Sequence, residues 1–288
     1  MSEFIIVQTL NGLVYSMLLF VFALGLSTTF GLLRFVNLAH GSFFLLGAYT
    51  GISILAITHS FGLALLGGAI VAGFVGLGIE RLFFRRFYTR TDLDQVIVSY
   101  GLALVFGDIA KMIWGKDIRS LPAPEWLSGG IEIASVTFPV YRLLLIGLGC
   151  VLFVATWLII ERTRIGALIR ASVDDRDMVG GIGFDVRGLF ALVFAAGAAL
   201  AGLGGVFAGP ITSVYPGLDF EILITTLIVV VVGGLGSISG AFWASLLIGV
   251  TDTYGRALFP DSAAFLIFGL MALVLLIRSW GVPEEEME

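Results

Sequence analysis

Apolar residues gather in about nine runs along this chain, at roughly 5–30, 41–57, 61–80, 96–113, 141–160, 188–209, 221–233, 240–258 and 262–278. A run of ~17–25 apolar residues is long enough to cross the hydrocarbon core of a bilayer as a helix. Repetition of such runs constrains the fold more than any motif does. In lipid, each unpaired backbone amide or carbonyl costs several kcal/mol, so every run must be helical or shielded by helices. No strand-like alternation competes with this reading. Composition agrees, because charged residues make up 13% of the chain, against about 25% in a soluble domain. The expected architecture is an all-α polytopic membrane protein of about nine transmembrane helices, with residues 1–288 forming a single transmembrane domain. The first run lacks a basic leader and begins at Glu3, so it reads as a retained helix rather than a signal peptide. The single cysteine, Cys150, sits inside an apolar run and reads as a buried structural thiol.

Basic residues orient the spans. With nine crossings, one set of connections holds Arg34, Arg81, Arg85, Arg86, Arg90, Arg162, Arg164, Arg170, Arg176, Arg187 and Arg278. The other set holds Lys111, Lys116, Arg119, Arg142 and Arg256. The richer set is expected inside. That places the N-terminus outside and the Glu284-Glu285-Glu286 tail in the cytoplasm. A re-entrant segment at 41–57 would break this parity unless a later element restored it. Two connections are long: an external one at 114–140, rich in proline, and a cytoplasmic one at 161–187, the most polar stretch of the chain.

The cytoplasmic stretch carries the sharpest pattern. Ile165, Leu168 and Ile169 recur at helical spacing, with Arg164, Arg170, Asp174, Asp175 and Asp177 on the polar side, and Gly180, Gly181 and Gly183 follow. This describes a short amphipathic helix over Arg164 to Asp177, closed by glycines. Such a helix serves either as a docking element for a soluble partner or as a solvated loop that sets topology.

Three motifs then give a resemblance. Gly166-Ala167-Leu168-Ile169-Arg170-Ala171, followed by Asp174-Asp175 and Gly181-Ile182, is similar to the cytoplasmic loop of permeases in the branched-chain amino acid ABC transporter family. Gly31 to Gly41, with the core Asn37-Leu38-Ala39-His40-Gly41, resembles that family's first cytoplasmic turn. Gly233-Gly234-Leu235-Gly236-Ser237-Ile238-Ser239-Gly240-Ala241 resembles its Gly-Gly-x-Gly-(Ser/Thr)-x-x-Gly-Ala element. The closest likeness is to the H-type half of the permease pair. The resemblance implies a permease of the type II ABC importer kind in a prokaryotic inner membrane. Its partners would be a second, homologous permease subunit, two ATP-binding subunits and an external solute-binding protein. It further implies that Arg164, Gly166, Ala167, Arg170, Ala171, Asp174 and Asp175 couple to the ATPase. The solute would be leucine, isoleucine, valine or a similar molecule, relatives carrying urea, short amides or aromatic acids.

Other residues divide between functional and structural readings. Asn37 and His40 flank the second run, where they either line a gate or satisfy backbone groups at a helix start. With Tyr49 and Tyr100 they are the candidate pathway residues. Asp108 is either a pathway acid or the local partner of Lys111. Gly197, Ala201, Gly205 and Gly209 recur every four residues, a smooth face for close helix packing within the chain or between subunits. Gly41-Ser42-Phe43-Phe44 and Gly240-Ala241-Phe242-Trp243 echo each other and hint at two structural repeats. No phosphate-binding Gly-x-x-x-x-Gly-Lys-(Ser/Thr) run exists, so ATP would be bound by partner subunits and no cofactor is expected here. No metal-ligand spacing, nucleophile elbow or nucleic-acid signature is present. The rival readings are a stand-alone secondary transporter or channel, an intramembrane enzyme, and a membrane scaffold.

Overall fold

Helices begin where short polar side chains stand ready to cap them. In a computed structural model describing residues 2–33, 35–88, 90–133 and 136–280, the chain forms α1 (Ser2–Leu33), α2 (His40–Thr58), α3 (Phe61–Leu82) and α4 (Asp92–Trp114). After the 114–140 connection come α5 (Val140–Arg162), α6 (Arg164–Asp174), α7 (Arg176–Gly181) and α8 (Val186–Ala208). The chain closes with α9 (Leu218–Gly233), α10 (Ile238–Leu258) and α11 (Ala263–Trp280). Ser60, Thr91, Thr163, Asp175, Asp185 and Ser237 each accept a hydrogen bond from the first turn of the helix that follows. Gly115 and Gly234, at φ 84° and 91°, end α4 and α9 in backbone conformations that favour glycine. Arg34 and the acidic tail at 284–286 lie outside the described residues, as does the side chain of Arg278.

Each of the nine apolar runs lies in or against one of the longer helices. Among the described residues, six helices are long and apolar enough to cross a membrane: α1 to α5 and α8. The pair α9 and α10, bent by 119° at its break, raises the number to seven if it counts as one span. Nine crossings are therefore not established. One run falls short of spanning length. At 16 residues α9 is ~24 Å long, short of the ~30 Å core. α11 runs from Ala263 to Trp280, 18 residues of largely apolar sequence. α2 is among the six by length and composition, and the bent pair is α9–α10.

α1 and α8 form the centre. α1 packs against α5, α8, α9 and α10, and α8 packs against α1, α2 and α3. The small residues of α8 make this possible. A Cβ on Gly205 would stand 2.1 Å from the Phe44 carbonyl oxygen, and one on Gly202 2.7 Å from that of Gly68. Gly197 likewise meets Gly25 and Thr29 of α1. The four-residue stripe thus packs inside the chain, as one of its two readings held. α4 and α5 lie at the periphery with few of their residues buried, as suits helices facing lipid. This corrects the reading of Cys150, which is exposed on α5. An apolar run in a membrane protein does not imply burial within protein.

The connections segregate to two ends. At one, Arg119 and Val214 exchange two backbone hydrogen bonds, and Tyr254 of α10 donates to the Ile5 carbonyl of α1. This end also carries two four-residue strands, β1 (Gly130–Ile133) and β2 (Val136–Pro139), paired antiparallel with Gly130 opposite Pro139. The hairpin departs from the all-helical expectation, being too short to register against the apolar runs. At the other end, Gly31 touches Gly236 and Arg85 donates to the Arg187 carbonyl. Arg81, Arg85, Arg86, Arg90, Arg162, Arg164, Arg170, Arg176 and Arg187 all belong to this arginine-rich end.

Candidate functional site: a polar cavity and an exposed helical segment

Two features stand apart from ordinary packing. The first is a cavity of about 770 Å³ between α1, α9 and α10, with the start of α5 at its rim. Its lining runs along α1 from Gln8 to Phe22, a length of ~21 Å at 1.5 Å per residue. The rim is polar. Arg142 donates to the Asn11 amide oxygen, and Arg256 donates through Nε to both Asp252 oxygens at 2.8 and 2.9 Å. The Glu221 carboxylate beside Tyr215 pushes that phenol above its ordinary pKa. Leu18, Leu19, Leu218 and Phe22 make parts of the walls apolar.

Phe22 is the innermost α1 residue of the lining. Its ring meets Phe44 edge-to-face at 4.6 Å, and its carbonyl lies 3.3 Å from His40 Nε2. The turn holding His40 is itself tied to α4. Gln95 Oε1 accepts from Val36 N at 3.2 Å, and Ser99 Oγ accepts from Leu38 N at 3.1 Å while donating to the Val36 carbonyl. Gln95 Nε2 donates onward to the carbonyls of Phe87 and Arg90.

The second feature is the segment between α5 and α8. Where one amphipathic helix was expected, the chain folds as α6 and α7, broken at Asp175, whose Oδ1 accepts from Met178 N at 2.9 Å to cap α7. Arg164, Ala167, Ala171, Asp174 and Asp175 are exposed. Arg170, also exposed, turns back to the Ile160 carbonyl and pairs with Glu161 at 3.6 Å. Gly166 is buried: a Cβ there would press on the last carbonyls of α5, 2.0 Å from that of Ile160. Ile165, Met178, Ile182 and Phe184 leave large apolar side chains uncovered on the same segment. A groove of about 490 Å³ joins it to the start of α4, lined by Arg90, Asp92 and Gln95 on one side and by Val173 to Asp177 on the other. Beside that groove, Tyr88 donates to buried Glu80 at 3.2 Å. Burial and the carboxylate both raise its pKa, so the phenol keeps its proton.

The residues singled out as a pathway do not line the cavity. Asn37 and His40 are buried at its inner closure, and Asn37 Oδ1 accepts from Ala39 N at 3.0 Å, serving the start of α2. Tyr49 is fully buried and stacked on Trp114 at 5.1 Å, while Tyr100 is exposed beside Phe220. Asp108 is exposed and pairs with Lys111 at 2.9 Å, its local reading. Among the described residues the buried acids are Glu80, Asp219 and Asp252, none of which stood out in the sequence. Each sits at the end of a span, where a charge normally reaches water. Only Arg256, one turn after Asp252, offered a local signal.

A bundle of membrane-length helices with a polar cavity entering between them, and an exposed helical segment at one end, is built as a membrane permease. The chain matches the model of the family described as branched-chain amino acid transport system / permease component over residues 8–276, and it belongs to that family. It is 28% identical to the high-affinity branched-chain amino acid transport system permease protein BraD of Pseudomonas aeruginosa, across 97% of this chain and 96% of that one. It is 25% identical to the corresponding permease protein LivH of Escherichia coli, again over 97% and 96%. A further match is the probable branched-chain amino acid transport permease protein LivH of Methanocaldococcus jannaschii, 26% identical over 94% of this chain and 90% of that one. Among solved structures, PsaBC from Streptococcus pneumoniae in complex with Fab shares the fold, with a TM-score of 0.54 at 15% identity over 96% of this chain and 92% of that one.

Proposed function

We propose that this chain is the membrane-spanning subunit of an ATP-driven importer that carries branched-chain or similar hydrophobic amino acids across a prokaryotic inner membrane. Its partners in this reading are a second permease subunit, two ATP-binding subunits and an external binding protein. The arginine-rich end faces the cytoplasm and the 114–140 end faces outward, as basic residues predict. The observation that carries the reading is the exposed α6–α7 segment, with uncovered apolar and charged side chains, in a chain of this family. Arg164, Ala167, Arg170, Ala171, Asp174 and Asp175 present the surface for the ATPase, and Gly166 lets α6 seat against α5.

Movement of α6 and α7 reaches the cavity through the groove at the start of α4, then Gln95 and Ser99, then the turn that holds His40 against Phe22. Asn37, His40 and Tyr49 act at the inner gate. Their Nδ2, Nδ1 and Oη atoms are buried without hydrogen-bond partners among the described residues. Leaving a buried polar group unpaired costs about 1–3 kcal/mol, which a second conformation that pairs them would recover. ATP drives transport only if its binding shifts the balance between two such conformations.

The test is affinity purification of the chain from its native membrane in mild detergent, with the co-purifying chains identified. An ATPase with a phosphate-binding loop and a second permease are expected. Asp174→Lys combined with Arg170→Ala should lower ATPase retention about tenfold, equivalent to ~1.4 kcal/mol. Recovery of the chain alone would refute the importer reading.

A further inference from the structure

The cavity between α1, α9 and α10 has a charge pattern that the importer reading does not require. Four charged side chains ring its mouth, and two of them cancel. Asp252 and Arg256 form an i,i+4 pair at 2.8 Å with the carboxylate buried. That leaves Arg142 and Glu221. Neither is ion-paired among the described residues: Arg142 donates to the neutral amide of Asn11, and Glu221 lies beside the phenol of Tyr215. One unmatched cation and one unmatched anion therefore share the rim of one cavity. Leu18, Leu19, Leu218, Ile222 and Phe22 give the same cavity apolar walls.

We propose that this cavity is a binding site for a zwitterionic amino acid. The Arg142 guanidinium, using donors not committed to Asn11, takes the α-carboxylate. The Glu221 carboxylate takes the α-ammonium, and the solute's aliphatic side chain points down toward Phe22. A guanidinium is suited to a carboxylate because its planar fork can donate two parallel hydrogen bonds. An aliphatic side chain gains most in the apolar shaft, where each buried methylene is worth ~0.8 kcal/mol. A neutral amide such as urea would leave both charges unmatched. A simple acid or amine would leave one unmatched, and desolvating an unmatched charge is unfavourable. The site rests on the import reading for its purpose but can be tested without it.

The test uses the full chain purified with whatever partners accompany it. Equilibrium binding of radiolabelled L-leucine is measured over a millimolar range, with 4-methylpentanoate, isoamylamine and urea as competitors. Saturable leucine binding is expected, with each competitor at least tenfold weaker than unlabelled leucine. Arg142→Gln and Glu221→Gln should each weaken leucine binding at least tenfold. In Arg142→Gln the penalty against isoamylamine should shrink, and in Glu221→Gln the penalty against 4-methylpentanoate. Arg142→Lys and Glu221→Asp should recover part of the binding, and Lys116→Gln, outside this cavity, should leave it unchanged. Absence of saturable binding to the parent protein, or leucine binding indifferent to both neutralised variants, overturns the site. If the ATPase still co-purifies in that case, the importer reading stands and only the site falls. If leucine binds as expected but no ATPase is found, the site stands and the importer reading falls.

Discussion

At the scale of single residues, close approach between backbones decides more than charge. Gly205 lies against the Phe44 carbonyl so tightly that any side chain must displace α2. Gly205→Leu is expected to destabilise the fold by about 3 kcal/mol or more, at the upper end of overpacking penalties. Its monodisperse peak in detergent gel filtration should fall sharply. Gly107→Ala on α4, where an added Cβ meets nothing within 4 Å, should leave that peak intact. Asp108 shows the opposite limit. Its exposed pair with Lys111 belongs to a class worth ~0–1 kcal/mol, so Asp108→Asn should leave thermal stability in detergent nearly unchanged. Both readings of Asp108 could be written from the sequence, because Lys111 lies one turn away. Glu80, Asp219 and Asp252 could not be recognised as buried, because what covers them is contributed from elsewhere in the fold. Glu80 lies under Tyr88, and Asp219 meets Ser42 of α2, a partner distant in sequence.

Among the elements, α4 links the exposed segment to the inner closure of the cavity. Gln95 and Ser99 are one turn apart on α4, and together they hold the backbone of residues 36–38. Gln95→Leu keeps the volume but removes hydrogen bonds to Val36, Phe87 and Arg90. Solute uptake should drop at least tenfold while the ATPase remains bound, read as uptake and ATP hydrolysis in the same vesicles. Equal loss of ATPase retention would mean that α4 is part of the docking surface rather than a link behind it. Several helix starts were legible from the apolar runs, which begin at 61, 141 and 240 against helices that begin at Phe61, Val140 and Ile238. The break at Asp175 was not, because an amphipathic pattern continues across it. Only the φ/ψ change at Asp175 and its bond to Met178 N divide α6 from α7.

For the whole molecule, the membrane class follows from the apolar runs alone, and the family follows from three motifs. The fold then joins two of those motifs, setting Gly31 against Gly236 at one end of the bundle. The cavity was not legible. Its rim draws residues from α1, α5, α9 and α10, and no spacing along the chain brings Asn11, Arg142, Glu221 and Asp252 together. Sidedness can be read by labelling. In a Cys150→Ala background, Lys116→Cys should react with an impermeant maleimide in intact cells, and Asp177→Cys only after permeabilisation. The most direct test of the account is solute flux. The chain and its co-purifying partners are reconstituted into liposomes with radiolabelled leucine and the binding protein outside and ATP enclosed. The account predicts leucine accumulation that requires enclosed ATP and is lost when the ATPase is inactivated. Accumulation that follows an imposed ion gradient and ignores ATP would contradict it.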